Sequence, residues 1–281
     1  MSSDRFLERF LRLECFDCEF IVGSLKEVVK GHKLLFSAAS DEFKTMFNCD
    51  FKHQTRVKVV DLDPVGFKSM KQFIYSGEVS FTSAIHALLT FAAARKYSVH
   101  DLDEKCIKYV IENIQPSEVL QFYESCKALH ISEFDQLCCK VIQEKTNEVV
   151  ASEFFLSSKT ETIELLLKLP GLKLESESEV FEHFERWAQA EADRKSINVD
   201  LMPSYFNNLK KHIRFLTMNV KEFASRVSGS SLMTPDEKNV ILQNLMDSNP
   251  EPMPTYLSIE QEIRKFNVPP AKPKTYVQDG G

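Results

Sequence analysis

The chain has 281 residues, enough for about two domains of roughly 100–200 residues each and for cores that need no disulfide staples. Apolar residues make up 43% and charged residues 27%, a globular balance that excludes wholesale disorder. The formal net charge of −6 offers no bulk attraction to nucleic acid or to an anionic membrane.

The opening Met1-Ser2-Ser3-Asp4-Arg5 is polar and lacks the apolar centre of a signal peptide. Residues 88–94 form the longest nearly apolar run, far short of the roughly 20 residues a membrane-spanning helix needs. An intracellular chain is expected, cytoplasmic with the nucleus left open. Phe6, Leu7, Phe10, Leu11 and Leu13 fall at near-helical spacing, which predicts a short amphipathic helix over 4–13. Such a helix has only its own domain or another subunit to pack on. Phe20-Ile21-Val22 and Val28-Val29 flank Gly23-Ser24, the pattern of two short strands around a turn. A helical segment follows over 32–47, then a third strand over 57–62.

Asp63-Pro64 marks the next boundary. Proline suits the first position of a helix, where its missing N–H would be unpaired anyway. That helix carries Phe67, Met70, Phe73 and Ile74 and stops at Gly77. A short strand is expected at 79–81. Ile85, Leu88, Leu89, Ala92 and Ala93 give the stripe of an amphipathic helix, and Leu102, Cys106, Val110 and Ile114 give another. Strands thus interleave with helices up to about residue 115.

Beyond Pro116 the pattern is helical, with no convincing strand before the tail. Val119, Leu120, Tyr123 and Cys126 mark one helix, and Phe134, Leu137, Val141 and Ile142 the next. Ser158-x-x-Glu161 and Ser176-x-x-Glu179 read as capping boxes, in which each side chain satisfies an orphan backbone donor. The first opens a helix ended by Pro170-Gly171. The second opens a helix bearing Val180, Phe181, Phe184, Trp187 and Ala188, with Glu182 and Arg186 as an i,i+4 pair. Glu175, Glu177 and Glu179 resemble an acidic patch; the plainer reading is first-turn carboxylates favoured by the helix dipole. Six of the eleven prolines crowd the last 32 residues. The divisions are therefore a mixed domain over 1–115, an all-helical one over 116–246, and a Pro-rich linker or extended tail over 247–281. Pro270-x-x-Pro273 in that tail can dock as polyproline II, though a disordered terminus is the plainer reading.

Catalytic and metal signatures are weak. The seven cysteines, an odd count without an export signal, imply reduced thiols. Cys15-x-x-Cys18 has ligand spacing, but no second pair completes a four-ligand zinc site. No G-x-S-x-G, Gly-rich phosphate loop or H-E-x-x-H occurs. The expectation is a protein that is not an enzyme and has no metal and no cofactor.

Several segments resemble a known family. Residues 17–23 (DCEFIVG) are similar to the opening strand of a BTB/POZ domain. Residues 32–47 (HKLLFSAASDEFKTMF) follow that family's H-K-x-x-L-x-A-x-S-x-x-F-x-x-M-F pattern, with Phe36 in place of the usual Leu. Residues 67–77 (FKSMKQFIYSG) and 92–97 (AAARKY) resemble two further family helices. Residues 150–156 and 180–188 resemble a BACK domain. Residues 213–218 and 249–252 are similar to the BTB–BACK subgroup that carries a C-terminal PHR β-sandwich. With the sequence ending at Gly281, that sandwich is expected to be missing.

The resemblance implies an α+β fold, a BTB/POZ domain of helices around a small sheet followed by an all-α BACK domain. It also implies a non-enzymatic, homodimeric adaptor that binds cullin-3 and holds an unknown substrate protein for ubiquitination, with no nucleic acid and no membrane partner. Proximity would do the work, by raising effective concentration. Phe6, Phe10 and Leu13 would anchor the dimer, with Asp17 and Lys33 as the charged pair beneath it. The plainer reading has Asp17 capping a strand and Lys33 solvated. His32 matches a position that looks chemical and reads as a packed structural histidine. Phe43, Phe51 and Tyr97 match cullin-contact positions, with Phe43 equally well read as core. His53 stands where family adaptors often carry the Glu of a hydrophobic-x-Glu motif. The alternative is a BTB–BACK dimeric scaffold, or a truncated regulator that heterodimerises with relatives, never meeting a cullin.

Overall fold

The computed structural model describes residues 16–49, 54–246 and 252–266. The expected helix over 4–13, with Phe6, Phe10 and Leu13, lies outside the described residues, as do Cys15, Phe51 and His53. The chain divides into two compact units, the first running to Ile114 and including Ser125–Ser132, the second comprising Gln115–Glu124 and the chain from Glu133 on.

In the first unit, alternating apolar residues produce a half-buried sheet. Strand β1 (Cys18–Val22) turns Cys18, Phe20 and Val22 inward. It pairs antiparallel with β2 (Glu27–Gly31), Phe20 opposite Val29, and parallel with β3 (Arg56–Val59), Val22 opposite Val59. The order is β2-β1-β3. The expected strand over 57–62 is shorter because the chain turns off at Val60 toward Pro64.

The segment 32–47 is two helices rather than one, α1 (Lys33–Ala39) and α2 (Asp41–Asn48). Ser40 is the break. Its backbone is extended (φ −157°, ψ 132°) and its hydroxyl accepts from the Phe43 N–H at 3.3 Å. Serine competes for backbone donors in this way and so favours caps over helix interiors.

Helix α3 (Pro64–Ser76) starts where proline predicts. The Asp63 carboxylate accepts from the Val65 N–H, and Gly77 closes the helix at φ 73°, a left-handed conformation that favours glycine. Next come α4 (Ala84–Lys96) and α5 (His100–Asn113). Residues 79–81 are not a strand; an isolated extended segment needs a partner, and the Phe81 ring packs instead against Tyr109 at 5.0 Å.

Phenylalanine dominates this core. The Phe20 ring lies 4.9 Å from both Phe36 and Phe67, 5.8 Å from Phe43 and 6.1 Å from Phe47. Phe36 is fully buried, so the departure from leucine at this position fills space in an aromatic cluster. Helices α3 and α4 approach closely at Gly66, where an added Cβ would fall 2.1 Å from the Leu89 carbonyl oxygen. Gly66→Ala is therefore expected to lower stability by about 1–3 kcal/mol through overpacking, read as a lower urea midpoint with an unchanged slope.

The second unit contains α7 (Asp135–Glu144), α8 (Thr146–Val150), α9 (Thr160–Lys168), α10 (Glu177–Lys195) and α11 (Pro235–Met246), with α6 (Val119–Ala128) straddling the boundary. Phe181, Phe184 and Trp187 of α10 are buried, and the Trp187 indole N–H donates to the Ser158 carbonyl at 2.9 Å.

Three local expectations are corrected here. Glu124, from a distant helix, accepts from the Lys159 N–H at 2.7 Å, so the start of α9 is capped from outside and not by Ser158-x-x-Glu161. Before α10, the Glu179 carboxylate accepts from Glu175 rather than Ser176, and the Ser176 side chain does not cap the helix. Glu182 pairs with Arg226 at 3.2 Å, whereas Arg186 donates to the Val150 carbonyl. In each case a partner other than the expected one took the bond.

A larger correction concerns the tail. Residues 252–266 fold back on the second unit, and Lys265–Phe266 (β5) pairs in parallel with Gly171–Leu172 (β4). Leu257 and Arg264 are buried. The Arg264 guanidinium meets both Glu177 oxygens at 3.0 and 3.1 Å and donates to the carbonyls of Leu167, Leu169 and His212. Glu177 lies in the first turn of α10, as expected, and is only 2% exposed.

Candidate interaction surface

Helix α1 is two-faced by sequence. Phe36 points into the core, while Leu34 is 78% exposed. The start of α1 is held by two neighbours. Asp17 accepts from the Lys33 N–H at 2.8 Å. The carboxylate thus caps a helix that the strand-capping reading did not anticipate. The Lys33 ammonium donates to the Gln54 carbonyl at 2.7 Å and lies over the Phe47 ring. The two residues predicted as a charged pair therefore meet through a backbone donor.

His32, also at this helix start, is buried, with its Nδ1 and its backbone N–H both 2.9 Å from the Tyr75 hydroxyl. Burial pushes the Tyr75 hydroxyl up to about 12, so it remains protonated and able to donate.

Phe43 and Tyr97 are brought together, but inside. Their rings stack at 4.0 Å and 12°, Phe43 fully buried and Tyr97 7% exposed. The Ser40 hydroxyl donates to the Tyr97 carbonyl and locks the pair. Phe43 is fully buried, and its ring packs against Phe20, Phe36, Phe47 and Tyr97. Next to Tyr97, the Lys96 ammonium donates to Asp61 and holds its carboxyl below the usual carboxylate range.

The chemistry of the buried groups is quiet. Desolvation pushes the Cys18 and Cys106 thiols up to about 12, which keeps these two protonated at neutral pH. Among the described residues no three His, Cys, Asp or Glu side chains cluster as metal ligands. None of the described helices is long and apolar enough to cross a membrane.

Comparison with known proteins decides the family. Residues 7–114 match the BTB/POZ domain family model, and residues 119–204 match the BACK model, described as BTB And C-terminal Kelch. The chain is a BTB–BACK protein. It is similar to BTB/POZ domain-containing protein 6 of Mus musculus, 27% identical over 236 residues, or 80% of this chain and 42% of that protein. It is also similar to the Homo sapiens protein of that name, at 25% over the same shares. BTB/POZ domain-containing protein 3 of Mus musculus is 25% identical over 90% of this chain and 48% of its own length. The BTB–BACK chain thus spans about half the length of the curated relatives it matches.

BTB–BACK proteins form a protein-interaction family whose members are adaptors rather than enzymes, and BTB domains generally mediate dimerisation and partner binding. The sequence did not signal that the second unit closes on residues 252–266. The nearest hint was the single arginine, Arg264, in an otherwise Pro-bounded stretch.

Proposed function

We propose that this BTB–BACK chain is a cytoplasmic, non-enzymatic adaptor that dimerises through its BTB domain and links cullin-3 to a substrate protein for ubiquitination. The observation that carries the reading is the succession of BTB and BACK domains in one chain. Exposed Leu34 on α1 supports the dimer, since a large apolar side chain in water gains from burial against a second copy. Phe6, Phe10 and Leu13 are assigned to the same interface, with Asp17 and Lys33 setting the start of α1 beneath it. The cullin contact is assigned to the segment after α2, through Phe51 and His53, with Phe43 and Tyr97, stacked on each other, holding α2 in place.

A second reading, a dimeric scaffold that meets no cullin, is favoured by His53 at the position where family adaptors often have Glu. Sedimentation of the purified chain with the N-terminal half of cullin-3 separates the two. The adaptor reading expects a dimer that forms a complex, and Phe51→Ala is expected to weaken it by about tenfold or more, as for a buried aromatic anchor. A dimer that ignores cullin-3 at micromolar concentration leaves the scaffold. A monomer at every concentration removes both.

A further inference from the structure

Strand β2 is an edge. Among the described residues it has a neighbour, β1, on one side only. An open edge offers a row of unpaired N–H and C=O groups, a template for another strand. Beside it runs one face of α3. Lys68, Lys71, Gln72 and Tyr75 stand at i, i+3, i+4 and i+7, and together with Val28 and Lys30 they line a cleft of about 520 Å³. Val28 is 52% exposed although it lies in a strand. An edge strand, an apolar floor and a flanking helix are the parts needed to bind a peptide by strand addition.

The charge of the cleft selects the occupant. Lys30 has no ion-pair partner among the described residues, and Lys68 is tied to Glu27. Lys71 lies over two rings, 5.1 Å from Phe16 and 5.2 Å from Tyr75, with no carboxylate in reach among the described residues. Desolvation lowers its pKa, so an arriving carboxylate would restore what burial removed. Three lysines against one glutamate make this cleft cationic on a chain of net charge −6.

We propose that the cleft between the open edge of β2 and helix α3 binds an extended acidic peptide, which joins the sheet as a further strand. Backbone bonds to β2 supply register, Val28 and Tyr75 take apolar side chains, and Lys30 and Lys71 pair with carboxylates. The inference is independent of the cullin and dimer readings, because it uses neither Leu34 nor the segment after α2.

The test uses the full chain and a synthetic nonapeptide alternating Glu and Val, blocked at both ends, titrated by fluorescence anisotropy and by amide chemical shifts. The expected result is saturable binding that weakens with salt and shifts the amides of Val28, Val29 and Lys30. The double variant Lys30→Glu, Lys71→Gln is expected to bind about tenfold more weakly, because both lysine–carboxylate pairs with the peptide are removed. Should that variant melt early, exposed Lys30→Glu alone is expected to keep the fold and still weaken binding. Four results would overturn the proposal. The first is equal binding by a Lys–Val peptide. The second is equal binding by the Glu–Val peptide with proline at its centre, which cannot join a ladder. The third is binding of an oligothymidylate in its place. The fourth is a changed sedimentation of the chain itself in the double variant, which would assign the edge to a second copy.

Discussion

Arg264→Ala is expected to cost the second unit about 3–5 kcal/mol, because removing one partner of a buried ion pair strands the other charge. Glu177 would be left in a site where it is 2% exposed. Its Oε1 would keep the Arg214 N–H at 3.0 Å, too little to replace a bidentate guanidinium. The carbonyls of Leu167, Leu169 and His212 would lose a donor in the same step. Arg264→Lys is expected to recover only part of the loss, since an ammonium cannot span the carboxylate and the carbonyls together. The measurement is chemical denaturation followed by the fluorescence of Trp187, the single tryptophan, which lies in the same unit. Limited proteolysis adds a local readout, with cleavage near residue 260 rising in the variant. If Arg264→Ala unfolds at the wild-type midpoint, the guanidinium does not hold the 252–266 segment in place.

Phe43→Ala is the second large effect, again about 3–5 kcal/mol, the cost of removing a buried phenyl ring and leaving a cavity. Phe43 touches Phe20, Phe36, Phe47 and Tyr97, so the void opens where the sheet meets α1 and α2. Phe43→Leu is expected to cost less, since it retains much of the volume. This pair of variants separates support from contact. If Phe43 acts only through the fold, cullin-3 binding by the leucine variant falls no further than its folded fraction does. A leucine variant that is fully folded yet does not bind would give the ring a direct role that its burial denies.

Much of the first unit was legible because its signals are local. Period-two alternation at Cys18, Phe20 and Val22 dictates which strand face is buried, and Asp63-Pro64 with Gly77 brackets one helix at both ends. The Ser40 break was legible only in its local half: the serine caps α2 through the Phe43 N–H, while its hydroxyl also donates to the Tyr97 carbonyl, 57 residues away. The candidate site divides in the same way. A motif placed Phe43 and Tyr97 together, yet only the packing showed that they face each other and not a partner.

Charged residues were the least legible. Spacing at i,i+4 suggests Arg186 for Glu182, and the helix dipole alone accounts for Glu177 in its first turn; their observed partners are Arg226 and Arg264. Lys210 and Glu237, both buried, form an ion pair at 2.7 Å that no spacing rule reaches. A side-chain hydrogen bond is satisfied by whichever donor the fold delivers, and sequence distance does not enter its energy.

By itself, the sequence determined the two-part division in character near residue 115, the family motifs, and the apolar faces, because burial follows residue type and periodicity over a few turns. Only the tertiary structure decided that residues 252–266 belong to the second unit, that Phe43 is spent on the core, and that β2, among the described residues, stands open beside α3. Each of those depends on which distant groups meet, and a long-range meeting is set by the whole chain's packing rather than by the residues on either side.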